Sequence, residues 1–254
     1  MTGGADAAGS SGWAASAATA AALTPAPRTS YPVARLALER TVRLVSTARL
    51  RDPVLLGLAG WDRLGDLAEI EGATSGRLTA QRHGAETIGA GEFVSALPHA
   101  SFINAAFSYW RPRELNRFNG PGRGAWYAAL STETCIAEVA FHLTRELERV
   151  RDFNATVDYA EMFASFAGAF VDLRGVEPAP ECLHPDPAIG YPFGNALAEA
   201  THADGHNGIV YPSDRHPGGT CLVALWPHAV QSVAQGQTLR LAWRNRRDPD
   251  IAGL

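Results

Sequence analysis

The chain has 254 residues, of which 46% are hydrophobic and 19% charged, a composition typical of a globular protein with one sizeable core. A formal net charge of −4 leaves no basic excess for holding nucleic-acid phosphates, so direct binding of DNA or RNA is not expected. The longest apolar runs, such as residues 221–226, are far shorter than the roughly 20 residues that span a bilayer, so we expect no membrane segment.

Residues 1–28 consist mostly of Ala, Gly, Ser and Thr, and we interpret them as a disordered tail. Asp6 is the only charged side chain before Arg28, whereas a secretory signal begins with a basic stretch, so no signal peptide is expected. His202 and His206 have the spacing of a ligand pair but lack an evident third ligand, so no metal site is expected. Three scattered cysteines, too few for a disulfide framework, favour a reducing cytoplasm: Cys135, Cys182 and Cys221.

Two helices and a loop are predicted before the middle of the chain. Apolar residues recur at a loose helical spacing over residues 33–45 and again over 61–71. Glycine and proline then forbid regular structure between Trp110 and Trp126. We interpret this stretch as a loop with a short strand on either side, the second of them at residues 125–129.

A helix follows the loop, capped by Ser131 or Thr132 and running to about Arg149. A later helix is predicted from about Asn195 to Asp204. Because only some strands alternate with helices, we predict a mixed α+β domain rather than a doubly wound sheet. The predicted strands are residues 169–173, 208–211, 221–226 and 239–243. The predicted division is a tail at 1–28, an N-terminal helical part at 29–95 and a core at 96–254.

The helix after the loop carries a glutamate away from its apolar side. Glu138 points to the side opposite the apolar stripe, beside Cys135, His142 and Arg145. A glutamate in this position fits a solvated helix face as well as an active site. His142 is interpreted as a surface or packing group rather than a base. The stripe that must face the core consists of Ile136, Val139, Ala140, Leu143, Leu147 and Val150.

The segments before this helix favour a site over a solvated face. Arg117 and Arg123 lie in the loop and Tyr127 on the strand after it, and such strand–helix junctions tend to form clefts. Arginines suit an anionic substrate, and a carboxylate suits a sugar hydroxyl or a developing oxocarbenium ion. The Gly-Pro-Gly-Arg-Gly run in the loop matches no phosphate-loop motif, and a surface turn explains it equally well.

Two blocks of the sequence resemble the RES-domain family. Residues 117–142 are similar to the family signature, in which an Arg-aromatic-Asn loop leads into a Tyr-Ala strand and then a helix that carries a glutamate. Residues 207–219, which read Asn-Gly-Ile-Val-Tyr-Pro-Ser-Asp-Arg-His-Pro-Gly-Gly, resemble the family's C-terminal segment. A third and weaker block is residues 43–50 together with the helix that begins at Trp61.

The resemblance implies a fold like that of ADP-ribosyltransferases and an enzyme that consumes NAD. Many RES proteins are toxins that act beside a helix-turn-helix (Xre-type) antitoxin. The resemblance makes Arg117 a ligand for phosphate or pyrophosphate and Tyr127 a wall or hydrogen-bond partner of the nucleotide. It makes Glu138 the catalytic carboxylate, and it assigns Asn119, in the same loop, to substrate binding.

The sequence departs from the family pattern at two places. A further family arginine near the start of the domain has Arg49 and Arg51 as candidates, and Arg49 is assigned to the substrate. The family serine precedes a glutamine on the helix before the Gly-Ile-Val strand. Here Pro192 takes the serine position, and Asn195, which is assigned to substrate binding, takes the glutamine position. Ser213 is either a substrate ligand or a turn residue bonded to its own backbone.

The predicted reaction is cleavage of the nicotinamide–ribose bond of NAD, with inorganic phosphate or water as acceptor and without a cofactor. One carboxylate suffices, because the bond breaks through an oxocarbenium-like state and the cationic leaving group needs no proton. Transfer of ADP-ribose to a protein is the second enzyme hypothesis. The non-enzyme hypothesis is a weakened RES-like module that binds a nucleotide or a partner protein. The expected partners are NAD and an antitoxin, and the question of a homo-oligomer stays open.

Overall fold

The described part of the protein contains ten regular strands and helices. A computed structural model describes residues 29–49, 88–108 and 115–254. None of the helices in these ranges is long and apolar enough to cross a membrane. The helices are α1 (Ala100–Ser108), α2 (Thr132–Val150) and α3 (Pro187–Ala203). The strands are β1 (Val33–Ser46), β2 (Trp126–Ala129), β3 (Asn154–Asp172), β4 (Gly208–Pro212), β5 (Thr220–Ala224), β6 (Gln231–Arg244) and β7 (Asp250–Gly253).

The described strands form one sheet whose pairings close into a circuit. The strand order is β1-β2-β5-β4-β3-β6-β7, and β1 also pairs with β3. The first five strands in this order therefore form a ring, and β6 and β7 extend the sheet outward from β3. Every pair is antiparallel except β3–β4, which is parallel. Mixed strand directions together with helices confirm the predicted α+β class.

Helices cover both faces of the sheet. Side chains alternate along β5, so that Cys221 and Val223 belong to one hydrophobic cluster and Leu222 to the other. The first cluster also includes Leu197 of α3 and apolar residues of α2. The second includes Phe107 of α1. Therefore α2 and α3 share one face of the sheet, and the candidate site lies on that face.

The helix predicted over residues 33–45 is wrong, because these residues form β1. The strand pairs with β3 from Val33 opposite Val171 to Ser46 opposite Tyr159. Exposed and partly buried residues alternate along its first half, as they do in a strand. Of the apolar residues that suggested a helical spacing, Leu36 and Leu38 are also spaced by two, as on one face of a strand, and pairing with the distant strand β3 decides between helix and strand. The helix predicted over 61–71 lies outside the described residues.

Three further elements differ from the prediction. The helix α1 precedes the loop, where a short strand was predicted. Residues 169–173 include only the end of β3, whose alanine-rich middle has a weak strand propensity. The helix α3 begins at Pro187 rather than near Asn195, and Asp186 caps it by accepting the Ala188 N–H at 2.9 Å. Besides Pro187 at its start, its first half contains two glycines and the internal Pro192, which are poor helix formers and concealed it.

The helix α2 confirms its prediction almost to the residue. Ser131 is the N-cap, and its Oγ accepts the N–H of Thr134 at 3.2 Å. Arg151 ends the helix in the left-handed conformation. The predicted stripe packs against the first hydrophobic cluster except for Val150, which is 62% exposed in the last turn.

Candidate active site

The candidate site lies where the turn after β4 meets the N-terminal half of α2. The Ser213 N–H donates to Gly219 O at 2.9 Å and closes this turn. Gly219 lies directly against α2, since a Cβ at this position would be 2.6 Å from Thr134 Oγ1. His216 Nδ1 lies 2.8 Å from the same hydroxyl. The turn is thus packed on α2, which brings Ser213 to Glu138.

The carboxylate of Glu138 is held by two side chains. Ser213 Oγ donates to Glu138 Oε1 at 2.6 Å, and Cys221 Sγ donates to the same oxygen at 3.6 Å. The Ser213 hydroxyl accepts the N–H groups of Arg215 and His216, each at 3.1 Å, so its own proton points to the carboxylate. Burial, followed by the charge of Glu138, raises the pKa of the Cys221 thiol and keeps it a donor. Glu138 is therefore an oriented, partly buried carboxylate.

Tyr127 joins β2 to the preceding loop. Its hydroxyl accepts the Phe118 N–H at 3.0 Å and donates to Asn119 Oδ1 at 2.9 Å. Asn119 in turn donates to Arg123 O at 3.0 Å. Burial raises the pKa of Tyr127, so the phenol stays protonated and acts as a hydrogen-bonding group rather than a base. The structure thus brings Tyr127 and Asn119 together in one network that shapes the loop.

The guanidinium of Arg117 is bound by protein groups. Its Nη1 donates to Cys182 O at 2.8 Å and to His184 O at 3.2 Å, and its Nη2 forms an ion pair with Asp214. The side chain is 11% exposed. These three acceptors use much of its donor capacity, and Asp214 offsets its charge. Arg117 therefore ties the turn after β4 to the segment before α3.

Two glycines let α3 lie directly on neighbouring backbone: Gly194 on the loop and Gly190 on the segment before α3. A Cβ at Gly194 would be 1.9 Å from Arg117 O, and a Cβ at Gly190 would be 2.6 Å from His184 O. A side chain at Gly194 would push α3 away from the loop, and one at Gly190 would displace the segment before α3. The backbone of Arg117 is therefore positioned by α3.

Asn195 and Pro192 of α3 have different surroundings. Asn195 Nδ2 donates to the carbonyls of Asn116 and Tyr191, both at 2.8 Å, and so clamps α3 to the loop. Pro192 is exposed on the helix. The hydroxyl at the Glu138 carboxylate is supplied by Ser213, on another element.

Of the remaining candidates, Arg123 and His142 lie outside this group, and Arg49 and Arg51 lie partly or wholly outside the described residues. Arg123 donates to Glu92 Oε2 at 2.7 Å and to Leu225 O at 2.8 Å, which anchors the loop rather than the carboxylate. His142 is exposed on α2. Arg49 ends a 3-10 turn after β1, but its side chain and the whole of Arg51 lie outside the described part, so their assignment stays a prediction.

Tyr191 is a site residue that the sequence analysis missed, because the predicted helix began after it. It is 8% exposed, and the Arg117 guanidinium carbon lies 5.6 Å from its ring centroid. Burial raises the pKa of the phenol, whereas the charges of three arginines, Arg117, Arg145 and Arg215, act to lower it. The Glu138 carboxylate acts to raise it. The phenol therefore lies among groups from the loop, α2 and the turn after β4.

Arg43 of β1 is a second missed residue. Its Nη1 donates to Tyr127 O at 3.2 Å, and its guanidinium carbon lies 5.0 Å from the ring centroid of Trp126. The sequence block 43–50 begins with it. The mistaken helix over 33–45 hid its place on the strand beside β2.

The described residues contain no group of three or more His, Cys, Asp or Glu side chains arranged to hold a metal ion. His202 instead stacks on Trp226, with ring centroids 3.9 Å apart and ring planes 14° apart.

A comparison with protein families finds a sequence model that spans most residues of this site. Residues 93–244 match the sequence model of the RES domain, a range that contains the chain from Arg117 to Cys221. No curated protein matches the sequence. Among solved structures, the chain is similar to one in the crystal structure of the M. tuberculosis MbcT–MbcA toxin–antitoxin complex. The identity is 15%, the TM-score is 0.38, and the match covers 83% of this chain and 87% of that one.

Proposed function

This chain belongs to the RES-domain family, and we propose that it degrades NAD by cleaving the bond between nicotinamide and ribose. The acceptor in this proposal is inorganic phosphate or water. One observation carries the proposal: the Glu138 carboxylate accepts a 2.6 Å hydrogen bond from Ser213 and lies within the electrostatic reach of Tyr191. A fixed carboxylate is the group that this reaction needs.

The proposed chemistry uses few protein groups. When the C–N bond breaks, its electron pair goes to the nicotinamide nitrogen, which loses its positive charge and leaves without a proton. The ribosyl C1 becomes oxocarbenium-like, and the Glu138 carboxylate stabilises that charge. An oxygen of phosphate or water then bonds to C1. A water nucleophile also releases a proton, for which Glu138 is the nearby acceptor.

The two tyrosines would line the substrate without competing with Glu138. Burial raises the pKa of both Tyr127 and Tyr191, so each phenol is neutral near pH 7. Neutral aromatic rings can stack on a nicotinamide or adenine ring, and the Tyr191 hydroxyl can donate a hydrogen bond to a sugar, whereas the Tyr127 hydroxyl already donates to Asn119. They add no second negative charge beside the carboxylate.

We also propose that the protein is a toxin of a toxin–antitoxin pair, acting in the cytoplasm beside a helix-turn-helix antitoxin. Family membership supports this proposal. All three cysteines are buried free thiols, which suits a reducing compartment: Cys135, Cys182 and Cys221. Expression in bacteria should then arrest growth and lower the cellular NAD content, and Glu138→Gln should remove both effects. Growth arrest with a normal NAD content would count against NAD as the target.

Product analysis tests the enzyme proposal directly. Purified protein is incubated with NAD, with and without inorganic phosphate, and the products are separated. ADP-ribose indicates hydrolysis and ADP-ribose 1″-phosphate indicates phosphorolysis, and both release nicotinamide. ADP-ribosylated protein would indicate transfer instead, and intact NAD in all conditions would refute the proposal.

A further inference from the structure

We propose that Arg145 and Arg215 form a subsite for a phosphoryl anion beside Glu138, with Phe141 as its platform. The anion class is fixed by the guanidinium pair. Its source in the reaction rests on the proposed function, and is either the diphosphate of NAD or the incoming inorganic phosphate.

The two guanidinium groups share one aromatic ring. The guanidinium carbon of Arg215 lies 3.5 Å from the ring centroid of Phe141, and that of Arg145 lies 5.7 Å from it. Both distances are within the range of cation–π attraction. The two like charges therefore lie within about 9 Å of each other, and an anion bound between them would relieve their repulsion.

Neither arginine forms an ion pair with a carboxylate among the described residues. By contrast, Arg117 pairs with Asp214, and Arg149, one turn beyond Arg145, pairs with Glu146. Arg215 Nη2 donates to Pro185 O at 2.9 Å, and this carbonyl orients the guanidinium without neutralising its charge. This pair of arginines therefore differs from the surface ion pairs of the same helix.

The subsite adjoins the catalytic carboxylate. Glu138, Phe141 and Arg145 are three and four residues apart along α2, so they lie on one face of the helix. Arg215 follows Ser213 by two positions in the turn that holds Glu138. The charges of Glu138 and of both arginines act on the pKa of the Tyr191 phenol. An anion bound here would lie next to the reacting ribose.

The guanidinium chemistry selects the ligand. A phosphoryl group offers several oxygens that can each accept a charge-assisted hydrogen bond from a planar fork, and two forks can share one diphosphate. Arg117 is less available for this task, since two carbonyls and Asp214 already use its donors. Arg145 and Arg215 thus take the role that the resemblance gave to Arg117, and Arg117 positions the turn.

Calorimetric binding of ADP and of inorganic phosphate tests the subsite without any catalytic turnover. The variants are Arg145→Ala, Arg215→Ala and their combination, with Arg215→Lys to keep the charge without the fork. Arg149→Ala is the matched control on the same helix. Each single alanine variant should weaken binding of at least one probe by roughly 10- to 100-fold, because a charge-assisted hydrogen bond is lost. The control should bind as wild type does.

The probes separate the two sources. Weaker binding of ADP alone assigns the subsite to the diphosphate of the substrate, and weaker binding of phosphate alone assigns it to the acceptor. Unchanged binding of both probes in the double variant, or no binding of either by wild type, overturns the subsite. NAD turnover measured separately reports on the proposed function: anion binding without turnover refutes only the reaction, and turnover with unaffected anion binding refutes only the subsite.

Discussion

At Glu138, replacing one carboxylate oxygen by nitrogen tests the proposed catalytic role separately from a structural one. The substitution Glu138→Gln keeps the shape of the side chain but removes its charge, while Ser213 can still donate to the amide oxygen. We expect NAD turnover to fall by roughly a hundredfold or more, the scale of losing one oriented electrostatic group. Turnover is measured by nicotinamide release.

The matched control is Glu146→Gln on the same helix, whose carboxylate pairs with Arg149 at the surface. This control should keep wild-type turnover and a similar thermal unfolding midpoint. Near wild-type turnover in Glu138→Gln would remove Glu138 from the site. A loss of folding in that variant would point to a structural role.

Ser213 and Pro192 offer a second test at the scale of the residue. Ser213→Ala removes the hydrogen bond to Glu138 and leaves the N–H groups of Arg215 and His216 without their acceptor. We expect kcat to fall by about 10- to 100-fold, because the carboxylate loses its orientation. Pro192→Ser should leave kcat unchanged, since Pro192 is exposed on α3.

The same kinetic assay measures both variants. A rise in turnover for Pro192→Ser, together with wild-type activity in Ser213→Ala, would return the family serine to the position that the resemblance assigned to it.

The contact between α3 and the loop depends on the lack of a side chain at Gly194. Alanine inside a helix normally stabilises it by about 1 kcal/mol relative to glycine. Here the added Cβ would lie 1.9 Å from Arg117 O, so the clash dominates. We expect Gly194→Ala to lower the free energy of unfolding by about 1–3 kcal/mol, measured by urea denaturation.

Gly91→Ala is the control, because a Cβ there meets nothing within 4 Å. It should leave stability within about 0.5 kcal/mol of wild type, as surface substitutions do. Equal stability of the Gly194→Ala variant would show that α3 does not press on the loop.

Elements whose signals are local were predictable from the sequence, and elements that depend on distant partners were not. The helix α2 carries its own cap at Ser131 and its own apolar stripe, and it was predicted almost to the residue. The strand β1 depends on pairing with the distant β3, and the spacing of its apolar residues does not reveal that partner. A sequence window of about eleven residues, in which periodicity is detected, contains no information about a partner strand more than a hundred residues away.

The candidate site divides in the same way. Glu138 and Tyr127 lie within one continuous block of sequence, so spacing and resemblance together pointed to them. The bond from Ser213 to Glu138 and the place of Tyr191 arise where separate elements meet. The spacing of residues along the chain does not show which separate elements come into contact. For this reason Tyr191 was missed, and Ser213 was interpreted as either a substrate ligand or a turn residue.

For the whole molecule, the stacked pair of His202 and Trp226 predicts a pH dependence of stability. Burial, and then the charge of Arg123, lowers the pKa of His202 below its ordinary value of 6.5. The unfolded chain therefore binds a proton at a higher pH than the folded protein does. The contribution of neutral His202 to the free energy of unfolding is fully present well above pH 6.5. It falls as the pH drops through 6.5 toward the lowered pKa.

Urea denaturation at a series of pH values from 7.5 downward measures this dependence. His202→Phe keeps an aromatic ring against Trp226 but cannot ionise, so its stability should fall less steeply below pH 6.5. His228→Gln, at an exposed position, should keep the wild-type slope. Identical slopes in wild type and His202→Phe would show that His202 does not control the dependence.

The closed circuit of strands has a consequence for folding of the protein during its synthesis on the ribosome. The strand β1 is synthesised early, yet Val33 pairs with Val171 and Ser46 with Tyr159. This pairing cannot form until β3 has been synthesised. The circuit then stays open until β4 and β5 have emerged. Such long-range closure makes folding slow. Since the Ser213 hydroxyl follows β4, a nascent chain contains Glu138 for many residues before Ser213 is available to orient the carboxylate.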